Sequence, residues 1–137
     1  VSPLSAFGGR FESVLADVPE GATRVVIASG KLAVLLEDAR EKAGLSGSLG
    51  LVRLERLHPF PAEALAAALA KAPGAELVFA QEEPENLGPW LWLDRRIERA
   101  AGRAARLVSR PAAASPAVGW RAWHDAEERA VIEGALG

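Results

Sequence analysis

Four short segments of the chain have the apolar, β-branched character of strands, and they cover residues 24–28, 51–56, 76–81 and 104–109. The first is unbroken by polar residues, and together with the third it predicts strands that are covered on both faces. The second alternates apolar with charged residues, which predicts a strand with one more polar face.

Each predicted strand is followed by a segment with helical periodicity, and these segments cover residues 32–43, 62–72, 90–100 and 120–136. The first places its leucines on one stripe and its charged residues, Arg40 among them, on the outside. The last is marked by apolar residues three and four positions apart, which are Trp120, Trp123, Ala126 and Ala130. These segments predict helices that pack on a sheet.

The strict alternation of strands and helices predicts an α/β fold with three layers, α/β/α, around a mainly parallel, twisted sheet. We expect one domain over residues 24–137. Residues 1–23 have no clean period, so we expect an arm or a linker from an upstream domain, with Phe7, Phe11, Val14 and Leu15 available for packing.

Composition narrows the classes of function. Sixteen Lys and Arg residues oppose 18 Asp and Glu residues, which gives a net charge of −2 and argues against nucleic acid as a partner. No apolar run is long enough to span a bilayer, and cysteine is absent. Because methionine is absent too, we expect this chain to be part of a longer polypeptide.

Ligands of open parallel sheets favour the carboxyl ends of the strands. Those ends place Ser29-Gly30-Lys31, Gln81-Glu82-Glu83 and Arg110 at one edge. Gly30 and the Lys31 ammonium suit an anion, but the segment lacks both common phosphate-loop patterns, so a plain turn stays the alternative. Adjacent Glu82 and Glu83 are expected to point apart.

Neither histidine indicates a catalytic or metal site. His58 precedes a proline and fits a turn, and His124 has no partner at metal-ligand spacing. The four tryptophans fit core and interface packing, and a surplus of tryptophan on one edge fits a buried contact with another domain.

Four segments together resemble the carboxy-terminal domain of the 2-oxoglutarate dehydrogenase family. They are RVVIASGK (24–31), VRLERLHPFP (52–61), QEEPENLGPW (81–90) and RPAAASPA (110–117). Their order and spacing agree over nearly the whole chain. The resemblance implies a transketolase-like carboxy-terminal α/β domain.

The resemblance also implies a parent enzyme of the tricarboxylic acid cycle in the bacterial cytoplasm. Such an enzyme is a homodimer that decarboxylates 2-oxoglutarate on thiamine diphosphate with Mg²⁺ and passes the succinyl group to a lipoyl arm of the dihydrolipoyl succinyltransferase. The cofactor lies between two other domains in this family. This segment is therefore expected to hold no cofactor or metal, to be catalytically silent and to pack on the upstream catalytic domains.

Two groups of site residues follow from the resemblance. Some family members bind a regulatory nucleotide or acetyl coenzyme A at the border of this domain, which points to Ser29, Gly30, Lys31 and, one helix face along, Arg40. The expected interdomain or dimer interface comprises Gln81, Glu82, Glu83, Asn86, Trp90 and Arg110.

Three other interpretations stay open from the sequence. The same domain ends the multifunctional 2-oxoglutarate decarboxylases. A free-standing module that binds a nucleotide or an acyl coenzyme A would use the same strand ends, and a pure interaction domain would dock on the succinyltransferase core.

Overall fold

Five strands and four helices make up residues 11–115 and 119–137, the part of the chain that the computed structural model describes. The strands are β1 (Val14–Asp17), β2 (Arg24–Ser29), β3 (Leu49–Leu54), β4 (Glu76–Pro84) and β5 (Arg106–Arg110). The helices are α1 (Gly30–Lys42), α2 (Ala62–Leu69), α3 (Trp90–Ala101) and α4 (Arg121–Leu136). The predicted alternation of strands and helices is confirmed.

The strands form one sheet in the order β1-β3-β2-β4-β5. Strands β3, β2, β4 and β5 run parallel, and only β1 is antiparallel to its neighbour within the described residues. Val26 of β2 lies opposite Leu51 of β3 on one side and Val78 of β4 on the other. The predicted parallel sheet is therefore present, and β2 and β4 lie at its centre.

Successive side chains of the central strands point to opposite faces and divide the core in two. Val25 and Ile27 pack with α2 and α3, whereas Val26 and Ala28 pack with α1 and α4. All four are fully buried. Full burial of a side chain of the size of valine or isoleucine contributes roughly 1.5–3 kcal/mol, which is why β-branched residues fill both faces of these strands. The three-layer arrangement is confirmed.

Strand β1 was not among the predicted strands. It is four residues long, its pattern of burial is mostly exposed, and it pairs with β3 at the sheet edge. Val18 and Ala22, which follow it, are buried in the core below α2. Residues 14–17 of the expected arm are thus part of the sheet. Phe11 is exposed, and residues 1–10, which include Phe7, lie outside the described residues.

The expectation of a polar face on the second predicted strand was wrong. That strand, β3, begins two residues earlier than predicted, and every residue in it except Arg53 is buried. Its position between β1 and β2 covers both edges, and helices cover both faces. Arg53 lies near the carboxyl end and pairs with Glu55 just beyond the strand.

Arg40 does not lie on the outside of α1, contrary to its predicted position. Its side chain is 4% exposed, and one guanidinium nitrogen, Nη1, donates to the carbonyl oxygens of Leu49 at 3.0 Å and Asp17 at 3.3 Å. Nη2 donates to the Asp17 carboxylate. A buried charge is tolerated when it is paired and hydrogen-bonded. Arg40 therefore holds the end of α1 to β3 and to the edge strand β1.

We predict that Arg40→Leu lowers the free energy of unfolding by about 1–3 kcal/mol, because the Leu49 carbonyl loses its buried donor. The matched control is Lys42→Leu, a change at an exposed residue of the same helix turn, expected to cost less than about 0.5 kcal/mol. Urea unfolding measures both. Equal losses in the two variants would contradict the role of Arg40.

Candidate functional site at the carboxyl edge of the sheet

The chain changes direction across the sheet between β2 and β4. The helix after β2 covers one face, the helix after β4 covers the other, and the two strands are neighbours. A crevice opens at the carboxyl ends of such strands, and ligands of open α/β sheets bind there. The structure thus brings the two predicted segments, 29–31 and 81–83, to one edge.

The turn after β2 has open backbone. Gly30 has a φ of +60°, a left-handed conformation that favours glycine, and no atom lies within 4 Å of where a Cβ would stand. The Ser29 side chain does not cap α1, and no acidic residue stands in the first turn of that helix. Amide groups at a helix start attract anions.

Acidic side chains, however, lie close to Lys31, the residue predicted to attract an anion. A cleft beside the turn is lined by Leu32, Glu82, Arg110, His124, Glu127, Glu128 and Val131. Lys31 Nζ donates to the Glu128 carboxylate at 2.8 Å, and Arg110 pairs with Glu127. The hydrogen bond and the charge of Glu128 raise the pKa of Lys31, with smaller contributions from the charges of Glu82 and Asp125.

An anion at Gly30-Lys31 would therefore have to displace Glu128 from the ammonium. Arg40 cannot assist it, because Arg40 stands nine residues further along α1, roughly 14 Å away at 1.5 Å per residue, with Nη1 and Nη2 bonded to Asp17 and Leu49. Of the four residues predicted for the regulatory site, the structure brings together Ser29, Gly30 and Lys31 but not Arg40.

The side chain of Gln81 organises the turn that follows β4. It is 3% exposed, and its Nε2 donates to the carbonyl oxygens of Pro84 at 3.0 Å and Glu83 at 3.3 Å. Its Oε1 accepts a 3.0 Å hydrogen bond from the backbone N–H of Trp90. One amide thus satisfies two turn carbonyls and the first amide of α3, which has no partner within its own helix.

Gly88 makes room for that amide. A Cβ added at Gly88 would stand 2.3 Å from Gln81 Nε2 and 2.5 Å from its Oε1. Any other residue would push the Gln81 side chain out of position. The spacing of glutamine and glycine in the motif 81–90 is therefore a packing requirement.

Asn86 joins this turn to the segment after β5. Its Nδ2 donates to the Ala113 carbonyl oxygen and its Oδ1 accepts from the Ala113 N–H, both at 3.0 Å. The Glu85 N–H also donates to the Arg110 carbonyl oxygen at 3.1 Å. Two of the segments that carry the family resemblance are therefore bound to each other in this structure.

The six predicted interface residues do not share one environment. Glu83 and Asn86 are exposed, and Glu82 faces the cleft, so the two glutamates point apart as expected. Gln81 is buried, and the Arg110 side chain is 10% exposed beside Glu127. Trp90 is partly buried and stacks on Phe79 at 5.7 Å between ring centroids. Only the exposed members are available to a neighbouring domain.

Sequence reasoning missed Glu127 and Glu128, which supply much of the charge of the cleft. They lie one turn before the buried Val131 on α4 and hence face the sheet, a signal that the spacing of four residues carries. It missed Gly88 as well. No group of three or more His, Cys, Asp or Glu side chains in residues 11–115 and 119–137 could hold a metal ion.

His58 lies in the turn where it was expected and contacts the Trp92 ring at 5.9 Å between centroids. His124 lines the cleft, and its side chain is half-exposed. No helix in the described part of the chain is long and apolar enough to cross a membrane.

The fold and the site define an open, doubly wound α/β domain. Acidic side chains line the crevice at its strand ends, and hydrogen bonds from Gln81 hold the adjacent turn. The chain matches the family model described as 2-oxoglutarate dehydrogenase C-terminal over residues 1–136. The chain belongs to this family.

Curated relatives agree with the family match. The chain is 39% identical over 144 residues to the 2-oxoglutarate dehydrogenase E1 component of Cupriavidus necator, covering 99% of this chain and 15% of that protein. It is 43% identical over 120 residues to the proteins of the same name from Brucella anthropi and Brucella ovis, covering 83% of this chain and 12% of theirs. It spans less than a sixth of the length of these relatives.

We predict that Gly88→Ala destabilises the domain by about 1–3 kcal/mol, because the added methyl group displaces the Gln81 amide and leaves buried polar groups unpaired. Gly74→Ala is the matched control, since nothing lies within 4 Å of its Cβ position and its φ is not positive. It is expected to be neutral or to stabilise slightly. Thermal unfolding distinguishes them, and equal midpoints would contradict the packing requirement.

Proposed function

We propose that the polypeptide to which this domain belongs decarboxylates 2-oxoglutarate with thiamine diphosphate and Mg²⁺ in the tricarboxylic acid cycle of a bacterial cytoplasm. It then passes the succinyl group to the lipoyl arm of a dihydrolipoyl succinyltransferase. The observation that carries this proposal is the match of residues 1–136 to a family named for that enzyme. Relatives named as its E1 component support it.

The described residues do not fit thiamine diphosphate with its metal. The cleft at the strand ends carries the carboxylates of Glu82, Glu127 and Glu128, which repel a diphosphate, and its one arginine is paired with Glu127. No cluster of three metal-binding side chains occurs in residues 11–115 and 119–137. We propose that the thiamine chemistry is carried by upstream domains of a homodimeric parent.

The role that the geometry supports for this domain is architectural. The side chains of Gln81 and Asn86 form hydrogen bonds within the domain. These bonds hold the turn of residues 82–89 against residues 111–115. The fixed turn presents Glu83, Glu85, Asn86 and Leu87 to the outside. A surface that is ordered before contact loses little conformational entropy when a neighbouring domain packs on it. We propose that this turn contacts the catalytic domains.

The dehydrogenase is favoured over a multifunctional decarboxylase by the names of the relatives from Cupriavidus necator, Brucella anthropi and Brucella ovis, which are E1 components. A second function with an observation in its favour is anion binding at Ser29-Gly30-Lys31, where backbone amides of α1 are open.

We predict that this 137-residue chain shows no turnover of 2-oxoglutarate when thiamine diphosphate and Mg²⁺ are added. The parent enzyme that contains it is expected to be active in the same assay. Release of CO₂ from labelled 2-oxoglutarate measures both. Turnover by the chain alone would contradict its architectural role, and an inactive parent would contradict the proposed activity.

For the regulatory site, we predict that Glu128→Gln strengthens binding of AMP or acetyl coenzyme A by about tenfold, because the Lys31 ammonium loses its anionic partner. Adding Lys31→Ala to this variant is expected to abolish the gain. Calorimetric titration of the chain measures both. A matched control is Glu133→Gln, an exposed glutamate at the far end of α4. Equal affinities in all variants would contradict a site at this turn, and with it a free-standing binding module.

A further inference from the structure

Helix α4 is anchored to the core by apolar side chains in its carboxy-terminal half. Four residues of that half pack in one core cluster, and they are Val131, Ile132, Ala135 and Leu136. Between residues 121 and 130, every residue is exposed except Glu127 and Glu128, which are partly buried. Most of the stability of a helix in a protein comes from packing of its apolar face. The first two turns of α4, residues 121–128, therefore lack the kind of contact that holds the rest of the helix.

The tryptophans at the start of α4 show that this part of the helix extends past the sheet. Trp123 lies on the same side of the helix as Glu127 and Val131, because residues four apart share a face. Val131 is 3% exposed, yet Trp123 is 63% exposed and Trp120, just before the helix, is 80% exposed. The face that is buried in the second half of α4 is thus open to solvent in its first two turns.

Two ion pairs attach residues 121–128 to the strand ends. Lys31 Nζ donates to the Glu128 carboxylate at 2.8 Å, and Glu127 pairs with Arg110 at the end of β5. The Lys31 side chain is 62% exposed, so dissolved salt screens its attraction to Glu128. Electrostatic contacts thus take the place that apolar contacts have further along the helix, and they depend on ionic strength.

Departure of these two turns would reverse the balance of charge at the strand ends. Three carboxylates and two cations meet there, and they belong to Glu82, Glu127, Glu128, Lys31 and Arg110. Two of the three carboxylates lie within residues 121–128, so they would leave together, whereas both cations belong to the sheet edge and would stay. With the helix turns in place the crevice repels an anion, and with the turns away it attracts one.

We propose that residues 121–128 form a gate over the strand-end crevice, which opens as one unit by local unfolding while residues 131–136 stay in place. The closed gate holds Glu128 against Lys31, and the open gate leaves a crevice with an excess of positive charge. The population of the open gate then sets how often an anion can enter, since a ligand binds only the competent fraction of molecules. Opening requires neither thiamine chemistry nor a bound ligand, so it can be measured apart from the proposed function.

Amide hydrogen–deuterium exchange with mass spectrometry tests the proposal on the parent enzyme. The reference is residues 94–97, which stand at the same distance from the start of α3 as residues 125–128 stand from the start of α4, and which lie beside the buried Leu93 and Ile97. Residues 125–128 are expected to exchange about tenfold faster than the reference, because their turn opens without unfolding of the domain.

The dependence on salt separates a gate from ordinary fraying of a helix end. When ionic strength rises from about 0.05 M to about 0.5 M, exchange at residues 125–128 is expected to become about two- to fivefold faster, because salt screens the ion pairs. The reference residues 94–97 are expected to change little. Exchange at residues 125–128 that equals the reference, or that does not respond to salt, would overturn the proposal.

Variants of the parent enzyme provide the second arm. Glu128→Gln is expected to speed exchange at residues 125–128 about two- to fivefold at low salt, because the gate loses one of its ion pairs. The matched control is Glu133→Gln, at an exposed residue of the same helix, which is expected to leave that exchange unchanged. An equal effect of the two variants, or an effect of Glu128→Gln that is as large at residues 94–97, would overturn the proposal.

Discussion

The carboxyl edge of this domain depends on one buried amide. The Gln81 side chain lies where β4 ends, accepts from the first N–H of α3 and donates to two carbonyl oxygens of the turn between them. Without it, three polar groups in a buried or partly buried turn would need other partners, at a cost of about 1–3 kcal/mol each. Gly88 leaves the space that the Gln81 amide needs, and Asn86 bonds the turn to Ala113 in the segment after β5.

The same edge shows why this domain is a poor place for the chemistry of its family. Its crevice has the topology of a ligand site. The Glu128 carboxylate, however, accepts a hydrogen bond from Lys31, and Glu127 pairs with Arg110. Both carboxylates come from α4, which closes the crevice from the α1 side. Trp120 and Trp123, at the start of that helix, are exposed. One helix thus supplies the carboxylates that close this edge of the sheet.

The sequence predicts the central strands well, because buried β-branched runs such as residues 25–27 leave few alternatives. It does not predict β1, whose four residues have no covered face of their own and depend on Arg40 and β3 for their position. Arg40 was predicted on the exposed face of α1, because periodicity assigns charged residues to solvent. The helical period cannot show that buried carbonyl oxygens of Asp17 and Leu49 are available as acceptors. For α4 the spacing of apolar residues marks the helix without deciding its face, and the structure shows that Val131, with Glu127 one turn earlier, faces the sheet.

The most direct test of this account is amide hydrogen exchange at Trp90, measured by NMR on the unmodified chain. The first amide of a helix has no partner within the helix and normally exchanges fast. Because Gln81 accepts this hydrogen at 3.0 Å, the account predicts protection of the Trp90 amide close to that of Phe79 in the core of β4. Exchange of the Trp90 amide at the rate of an amide with no hydrogen-bond partner would contradict the central role of Gln81.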